Sequence, residues 1–301
     1  MKLAPIALIT YNRSNTLLKT INSLKKNKLI KKTDLYIFSD GPKNNIIDKK
    51  KVKKVRDIIK NLKNINIKKI ILHKKNIGVK KNIISSVNYV LKKNSKIIVI
   101  EDDLILSPAF LNFMNTSLDY IKSSNKIWHV SGWNYPISEN QKYKADFFLW
   151  SNMNCWGWGT HKKYWKKLIL DEDFFIKNFS NDDIKKFDMH GKLKNWVQLK
   201  KNKQKIIKTW AIFWNATIFW NKGLCLNPVL SYTKNIGFDE NSTHTKKKIP
   251  QLSKLNSSFK TNLNFNQTNS MFYIDKLRYY LSKDKFNFFN SVKNKIIKFL
   301  K

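Results

Sequence analysis

Four short apolar runs alternate with helically spaced segments between residues 4 and 123, and this alternation limits the possible folds more than any other feature. Residues 4–10 read as a strand. Ser14 to Lys26 carries Leu17, Leu18, Ile21 and Leu24 at helical spacing, with Ser14 placed to cap it. Residues 34–39 read as a second strand ending at Asp40-Gly41-Pro42, a turn by composition. A lysine-rich helix over 48–62, a strand over 68–73 and a helix over 79–92 follow. In the last, Ile83, Ile84, Val87 and Val90 or Leu91 share a face. The fourth run, 96–100, is apolar from Ile97 to Ile100, which suits a central parallel strand buried on both faces. Ser107-Pro108 then starts a helix to about residue 123, with Pro108 at its first position. This order predicts a doubly wound α/β sheet with right-handed crossovers.

The second half differs. All ten tryptophans fall between Trp128 and Trp220, among shorter apolar runs and more turn residues. A mixed extension of the sheet plus helices is expected there. From about Pro250 the chain turns to Ser, Asn and Lys, and residues 270–301 form a basic, aromatic stretch. Its aromatic content favours a packed helix over a solvated tail.

The formal charge is +39, yet arginine occurs only at 13, 56 and 278. Nucleic-acid recognition draws on Arg for bidentate contacts, and no binding motif of that kind is present, so a nucleic-acid partner is not expected. Lysine of this abundance still attracts anions, and peripheral contact with an anionic membrane stays open. No stretch approaches the ~18 uninterrupted apolar residues of a membrane span. The N-terminal run lacks a cleavage pattern, so a cytoplasmic location is expected. Cys155 and Cys225 have no metal-type spacing and read as free, buried thiols.

Ligands of open α/β sheets bind beyond the carboxyl ends of the strands. Polar groups gather at those ends: Arg13 after strand one, Asp40 after strand two, His73 and Lys74 after strand three, Glu101-Asp102-Asp103 after strand four. Three successive carboxylates repel one another unless a cation neutralises them. Hard oxygen ligands suit Mg²⁺ or Mn²⁺, held by one or two carboxylates plus a substrate diphosphate. No glycine-rich phosphate cradle is present, so metal and side chains must manage any diphosphate. A nucleoside-diphosphate leaving group needs that kind of charge stabilisation.

The segments Thr10-Tyr11-Asn12-Arg13, Phe38-Ser39-Asp40-Gly41, Glu101-Asp102-Asp103-Leu104, Val130-Ser131-Gly132-Trp133-Asn134 and Trp156-Gly157-Trp158 follow a recognisable order. In it the chain resembles GT-A glycosyltransferases, N-acetylglucosaminyltransferase I and related bacterial sugar transferases among them. The resemblance covers about residues 4 to 245 and leaves out the tail. It implies a GT-A fold with an acceptor-side half rich in tryptophan, dividing into a glycosyltransferase domain over 1–249 (nucleotide-binding half 1–106, acceptor-side half 107–249) and a helical tail over 250–301. It implies that Arg13 and Asp40 hold the nucleotide, Asp40 through the base, and that Glu101 and Asp102 lie near the ribose and phosphates. Asp103 would ligate Mn²⁺ or Mg²⁺, with His244 of the late loop beside it, and Lys80 joins the donor-binding set. Trp133, Trp156, Gly157 and Trp158 would form the sugar pocket, Gly157 letting a ring approach the backbone.

The activity implied is transfer of a sugar from a nucleoside-diphosphate sugar to a hydroxyl of a glycan or lipid-linked acceptor, in bacterial surface polysaccharide synthesis. One departure stands out. Where such enzymes often carry an Asp that serves as general base, this chain has Ala211. An inverting transfer needs a carboxylate within reach of the acceptor. Asp239 and Glu240 are the nearest candidates, with Asp171, Glu172 and Asp173 as outsiders. A nucleotidyltransferase would show a glycine-rich loop after strand one, where Tyr11-Asn12-Arg13-Ser14 stands instead. A binding protein that kept the fold and lost catalysis is the other alternative.

Overall fold

The computed structural model describes residues 2–137, 145–238, 254–257 and 270–282. The βα alternation of the first half is present. Strands β1 (Ile6–Thr10), β2 (Leu35–Ser39), β3 (Ile67–Leu72) and β4 (Lys96–Glu101) alternate with helices α1 (Ser14–Lys25), α2 (Ile46–Lys60) and α3 (Val79–Lys93). They pair in parallel in the order β3-β2-β1-β4. β1, β2 and β4 are buried almost throughout, whereas β3 is the half-exposed edge.

Side-chain alternation divides the core in two. Ile6, Leu8, Leu35, Ile37, Ile98 and Ile100 face α1, α2 and the later helix α4 (Phe110–Tyr120). Ala7, Ile9, Tyr36, Phe38, Ile97 and Val99 face α3 and a cluster of tryptophans.

Beyond β4 the sheet is mixed. β6 (Ile127–Ser131), β7 (Phe147–Trp150), β8 (Trp158–His161) and β9 (Leu224–Pro228) complete, among the described residues, an eight-stranded order β3-β2-β1-β4-β8-β6-β9-β7. β8 lies antiparallel between β4 and β6, and β6 pairs in parallel with β9. The helices of this half are α5 (Lys162–Trp165), α6 (Glu172–Asn178), α7 (Asn181–Phe187), α8 (Asn195–Lys203) and α9 (Ala211–Trp220). Residues 270–282 form α10, whose Tyr273 and Leu277 are buried with Ile137, Phe148, Trp150 and Val229.

Three local expectations are corrected. Arg13, not Ser14, holds the cap position of α1 and caps it without its side chain, which is turned elsewhere. Leu18 is exposed, because the buried face of α1 runs through Leu17, Thr20, Ile21 and Leu24. α4 begins at Phe110 rather than Pro108: residues 104–106 form a further strand, β5 (Leu104–Leu106), and the Ser107 carbonyl and hydroxyl then accept from the Phe110 and Ala109 amides, closing a turn ahead of the helix. β5 is held on one side by α1, whose Thr20 and Ser23 hydroxyls accept from the amides of Leu104 (3.1 Å) and Leu106 (3.0 Å). On the other side it pairs antiparallel with β10 (Thr233–Asn235).

Candidate functional site

The β5–β10 ribbon brings a late segment of the chain over the end of β4. Asn235 pairs with Leu104, and the Ile236 amide donates to the Asp103 carbonyl at 2.8 Å. Gly237 therefore sits against the Asp103 carboxylate. A Cβ at 237 would overlap that carboxylate and lie 2.7 Å from Arg13 Nη1, so only glycine fits without rearrangement. Arg13 Nη1 is 3.1 Å from Asp103 Oδ2 and donates to the Gly237 carbonyl at 3.4 Å. The ends of β1, β4 and β10 thus converge on one guanidinium.

Of the other two carboxyls of the triplet, Asp102 is buried and Glu101 half-buried. Asp102 accepts from the Tyr11 amide at 2.9 Å. Burial, then the negative charges of Asp103 and Asp102, push the Glu101 carboxyl up to about 8, against the opposing pull of Arg13. Burial and the charge of Asp103 push Asp102 up to about 7, with the Tyr11 amide and Arg13 opposing. Carboxyls in this condition gain from a cation, and hard oxygens suit Mg²⁺ or Mn²⁺. Among the described residues, no three His, Cys, Asp or Glu side chains converge as a ready metal cage. Cys155 lies close enough for the charges of Glu101 and Asp103 to add to burial in raising its thiol. The sequence marked both cysteines as free, buried thiols; they form no disulfide, and Cys225 is buried whereas Cys155 is only half-buried.

Asp48 escaped the sequence reading because it looks like an ordinary helix residue. Its buried carboxylate accepts from the Tyr11 hydroxyl, the Asn12 amide nitrogen and the Lys43 backbone amide, each at 2.6 Å. Burial acts to raise its pKa, but these hydrogen bonds outweigh it and hold the group below the usual carboxylate range. Tyr11 and Asn12 are thereby fixed beside Arg13.

Asp40 is buried with both oxygens engaged. Oδ1 accepts from the amides of Gly41 (2.7 Å) and Ile77 (2.9 Å), and Oδ2 from the Gly78 amide (3.0 Å) and Asn76 Nδ2 (3.1 Å). Four donors fill the sites a carboxylate offers, so Asp40 shapes the 76–78 loop. Lys80 stands 3.6 Å from the Phe213 ring and 3.9 Å from Glu172, which places it against α9 and α6. Burial lowers its pKa and Glu172 opposes this.

The aromatic segment separates into wall and core. Trp158 is fully buried, stacked 5.0 Å from Trp210 and 5.4 Å from His129, and so cannot line a sugar pocket. The role expected of Gly157 is corrected too. It takes φ +72, and a Cβ there would meet Thr233 Cγ2 at 2.8 Å and Phe110 at 3.1 Å, so its bareness admits the β10 strand rather than a ligand. Trp133 is almost wholly buried beneath Trp156, ring centroids 4.4 Å apart. Trp156, half-buried and 5.5 Å from Phe238, is the member of the set left beside the loop that leads out of the site.

Ala211 opens α9. Of the outsiders, Asp171 caps α6, Glu172 faces Lys80 and Asp173 pairs with Lys203. Asp239, Glu240 and His244 lie outside the described residues.

The sequence pattern of the GNT-I family matches residues 1–191. No curated protein matches the chain significantly. Similar solved structures include a mannosyltransferase from Pyrobaculum calidifontis in complex with GDP-Man and Mn²⁺, at 9% identity over 55% of this chain and 47% of that one, TM-score 0.38. S. aureus TarS 1–349 matches at 11% identity over 78% and 61%, TM-score 0.42. A cytidylyltransferase from Leptospira borgpetersenii serovar Hardjo-bovis matches at 12% identity over 56% and 63%, TM-score 0.32. Each alignment spans less than two thirds of the other chain.

Proposed function

The chain belongs to the GNT-I family, and on that premise we propose that it moves a sugar from a nucleoside-diphosphate sugar to a hydroxyl of a glycan or lipid-linked acceptor, assisted by Mn²⁺ or Mg²⁺. Family membership is the premise; the nucleotide-sugar donor, the metal, the acceptor and a place in bacterial surface polysaccharide synthesis are the proposal.

One observation carries it: the Asp103 carboxylate meets Arg13 and Gly237 next to the Glu101 and Asp102 carboxyls, where burial and mutual repulsion favour a cation. Asp103 is the carboxylate that would hold the metal, with His244 proposed beside it. A bound divalent ion would supply Lewis-acid stabilisation of the leaving diphosphate. Arg13 would answer that charge from the protein side, a role supported by its guanidinium bridging Asp103 and the Gly237 carbonyl. Tyr11 and Asn12, held by Asp48, and the 76–78 loop, held by Asp40, would frame the nucleotide. Trp156 would offer an apolar face to a sugar ring. Asp239 or Glu240 is assigned the acceptor's proton, since Asp171, Glu172 and Asp173 are engaged elsewhere.

The test is release of nucleoside diphosphate from a panel of nucleotide sugars, with and without Mn²⁺. Asp103→Ala should abolish turnover and the metal-dependent part of nucleotide binding. Unchanged nucleotide affinity in that variant, with Mn²⁺ and without it, would remove the metal role. Failure to turn over any donor would mark a binding protein on an inherited fold.

A further inference from the structure

The turn that enters α2 carries Ile46 and Ile47, which are 69% and 65% exposed. Adjacent exposed isoleucines at a helix start gain nothing for the core, whose share of α2 is Val52, Val55 and Ile59. Their surroundings are basic: Lys43, Lys49, Lys50 and Lys51 are exposed on the same turn. From Gly41 to Arg56 the one acid is Asp48, and it is buried. Lys74 and Lys75 add charge from the end of β3, where Asn76 donates to the Pro42 and Gly41 carbonyls at 3.3 and 3.1 Å.

This turn is rigid as well as exposed. Asp48 binds the Lys43 amide at one end, and the Asn45 side chain accepts from the Asp48 amide at 2.8 Å. Through Tyr11 it also stands two hydrogen bonds from Asp102. The apolar tip is thus fixed at the carboxyl edge of the sheet, beside the acidic site.

We infer that the Ile46-Ile47 turn is a membrane-docking tip, in which the lysines are drawn to an anionic lipid surface and the two isoleucines enter its interfacial layer. Charge and apolar area act together in such contacts: lysines bring the protein to the headgroups, and a few buried side chains retain it. No helix among the described residues is long and apolar enough to cross a membrane, so attachment of this kind would be peripheral. The docking itself does not depend on the sugar-transfer reading. The consequence for the acceptor does rest on it: a site opening beside the membrane meets an acceptor whose lipid anchor lies in that membrane.

Sedimentation of the full chain with phosphatidylcholine vesicles, with and without phosphatidylglycerol, tests this. Binding should require the anionic lipid and weaken with salt. Ile46→Ser/Ile47→Ser, which leaves every charge in place, should lower the partition coefficient at least ~10-fold. Lys200→Glu/Lys201→Glu, on the exposed face of α8, should change it by less than about twofold. Wild-type binding retained by the isoleucine variant, or equal loss in the α8 variant, would overturn the inference, because charge alone would then explain attachment. Self-association of the wild type that the isoleucine variant abolishes would overturn it in favour of an interface between copies. Donor hydrolysis should be unchanged in the isoleucine variant, so failure of docking and failure of sugar transfer are read separately.

Discussion

Arg13 and Asp103 meet at 3.1 Å, with Gly237 pressed against both. The contact spans segments far apart in sequence and needs a residue without a side chain at 237. Gly237→Ala places a methyl group where the Asp103 carboxylate stands. We expect it to displace Asp103 and weaken nucleoside-diphosphate binding in the presence of Mn²⁺ by at least ~10-fold, at little cost in stability, because the atoms it meets are the ends of two side chains that can move. Calorimetric titration alongside thermal melting separates the two effects. Nucleotide affinity within twofold of wild type would mean that the ribbon does not position the acidic site.

The two tryptophans of Trp156-Gly157-Trp158 should respond in opposite ways. Trp158→Ala empties the centre of the tryptophan core and should cost about 3–5 kcal/mol. Trp156→Ala removes a half-buried ring and should cost about 1 kcal/mol while raising KM for donor or acceptor. Urea midpoints and steady-state kinetics on both proteins decide this. A kinetic defect in a Trp156 variant no larger than the assay error would return that ring to the packing.

Asp48 offers a test of how the end of β1 is held. Asp48→Ala deletes three hydrogen bonds and should destabilise the fold by about 3 kcal/mol, whereas Tyr11→Phe deletes one and should cost about 1 kcal/mol. Equal losses in chemical denaturation would show that the tyrosine bond dominates and that the Asn12 and Lys43 contacts are idle.

The parallel half of the sheet was legible because its strands are short apolar runs and its helices carry a longer 3.6-residue stripe, so run length and periodicity together separate them. The acidic triplet was legible because three carboxylates after an apolar strand are costly without a cation. The β5–β10 ribbon was not: each strand has three residues, too few for a period, and their pairing is a long-range contact. Gly237 gained meaning only once that pairing placed it. Trp156 and Trp158 have the same chemistry two positions apart, and their difference is set by β8 beginning at Trp158. Asp48 was hidden because its three partners come from two separate loops. Asp40 was marked correctly as a residue at a strand end, yet its carboxylate is spent on the 76–78 loop, a fact visible only in the hydrogen bonds.

The pH dependence of stability should carry two opposing contributions that overlap between about pH 4 and 6.5. Trp214 Nε1–H donates to His129 Nδ1 at 3.2 Å, so Nε2 carries the proton and faces the Asn154 carbonyl at 3.1 Å. Burial holds this neutral imidazole down to about 3, against 6.5 in the unfolded chain, with the Asn154 bond only partly opposing. Below pH 6.5 the unfolded state therefore takes up a proton that the folded state refuses. Stability from this group is present above 6.5 and declines toward pH 3, at up to about 1.4 kcal/mol per pH unit. Glu101 and Asp102 act in the other direction. Without a cation they stay protonated in the fold until about 8 and about 7, while the unfolded chain ionises them near 4.5 and 3.8. Their contribution is whole below about 3.8, declines as the unfolded chain ionises, and is gone once pH has passed about 7 for Asp102 and about 8 for Glu101. Urea midpoints measured from pH 3.5 to 8.5 should rise less between pH 3.5 and 6.5 in His129→Gln and fall less between about pH 4 and 7 in Asp102→Asn. Mn²⁺ should raise the Tm more at pH 8 than at pH 5.5, because it meets carboxylates there instead of carboxylic acids. A Mn²⁺ effect that is equal at both pH values would detach the buried pair from any cation at Asp103.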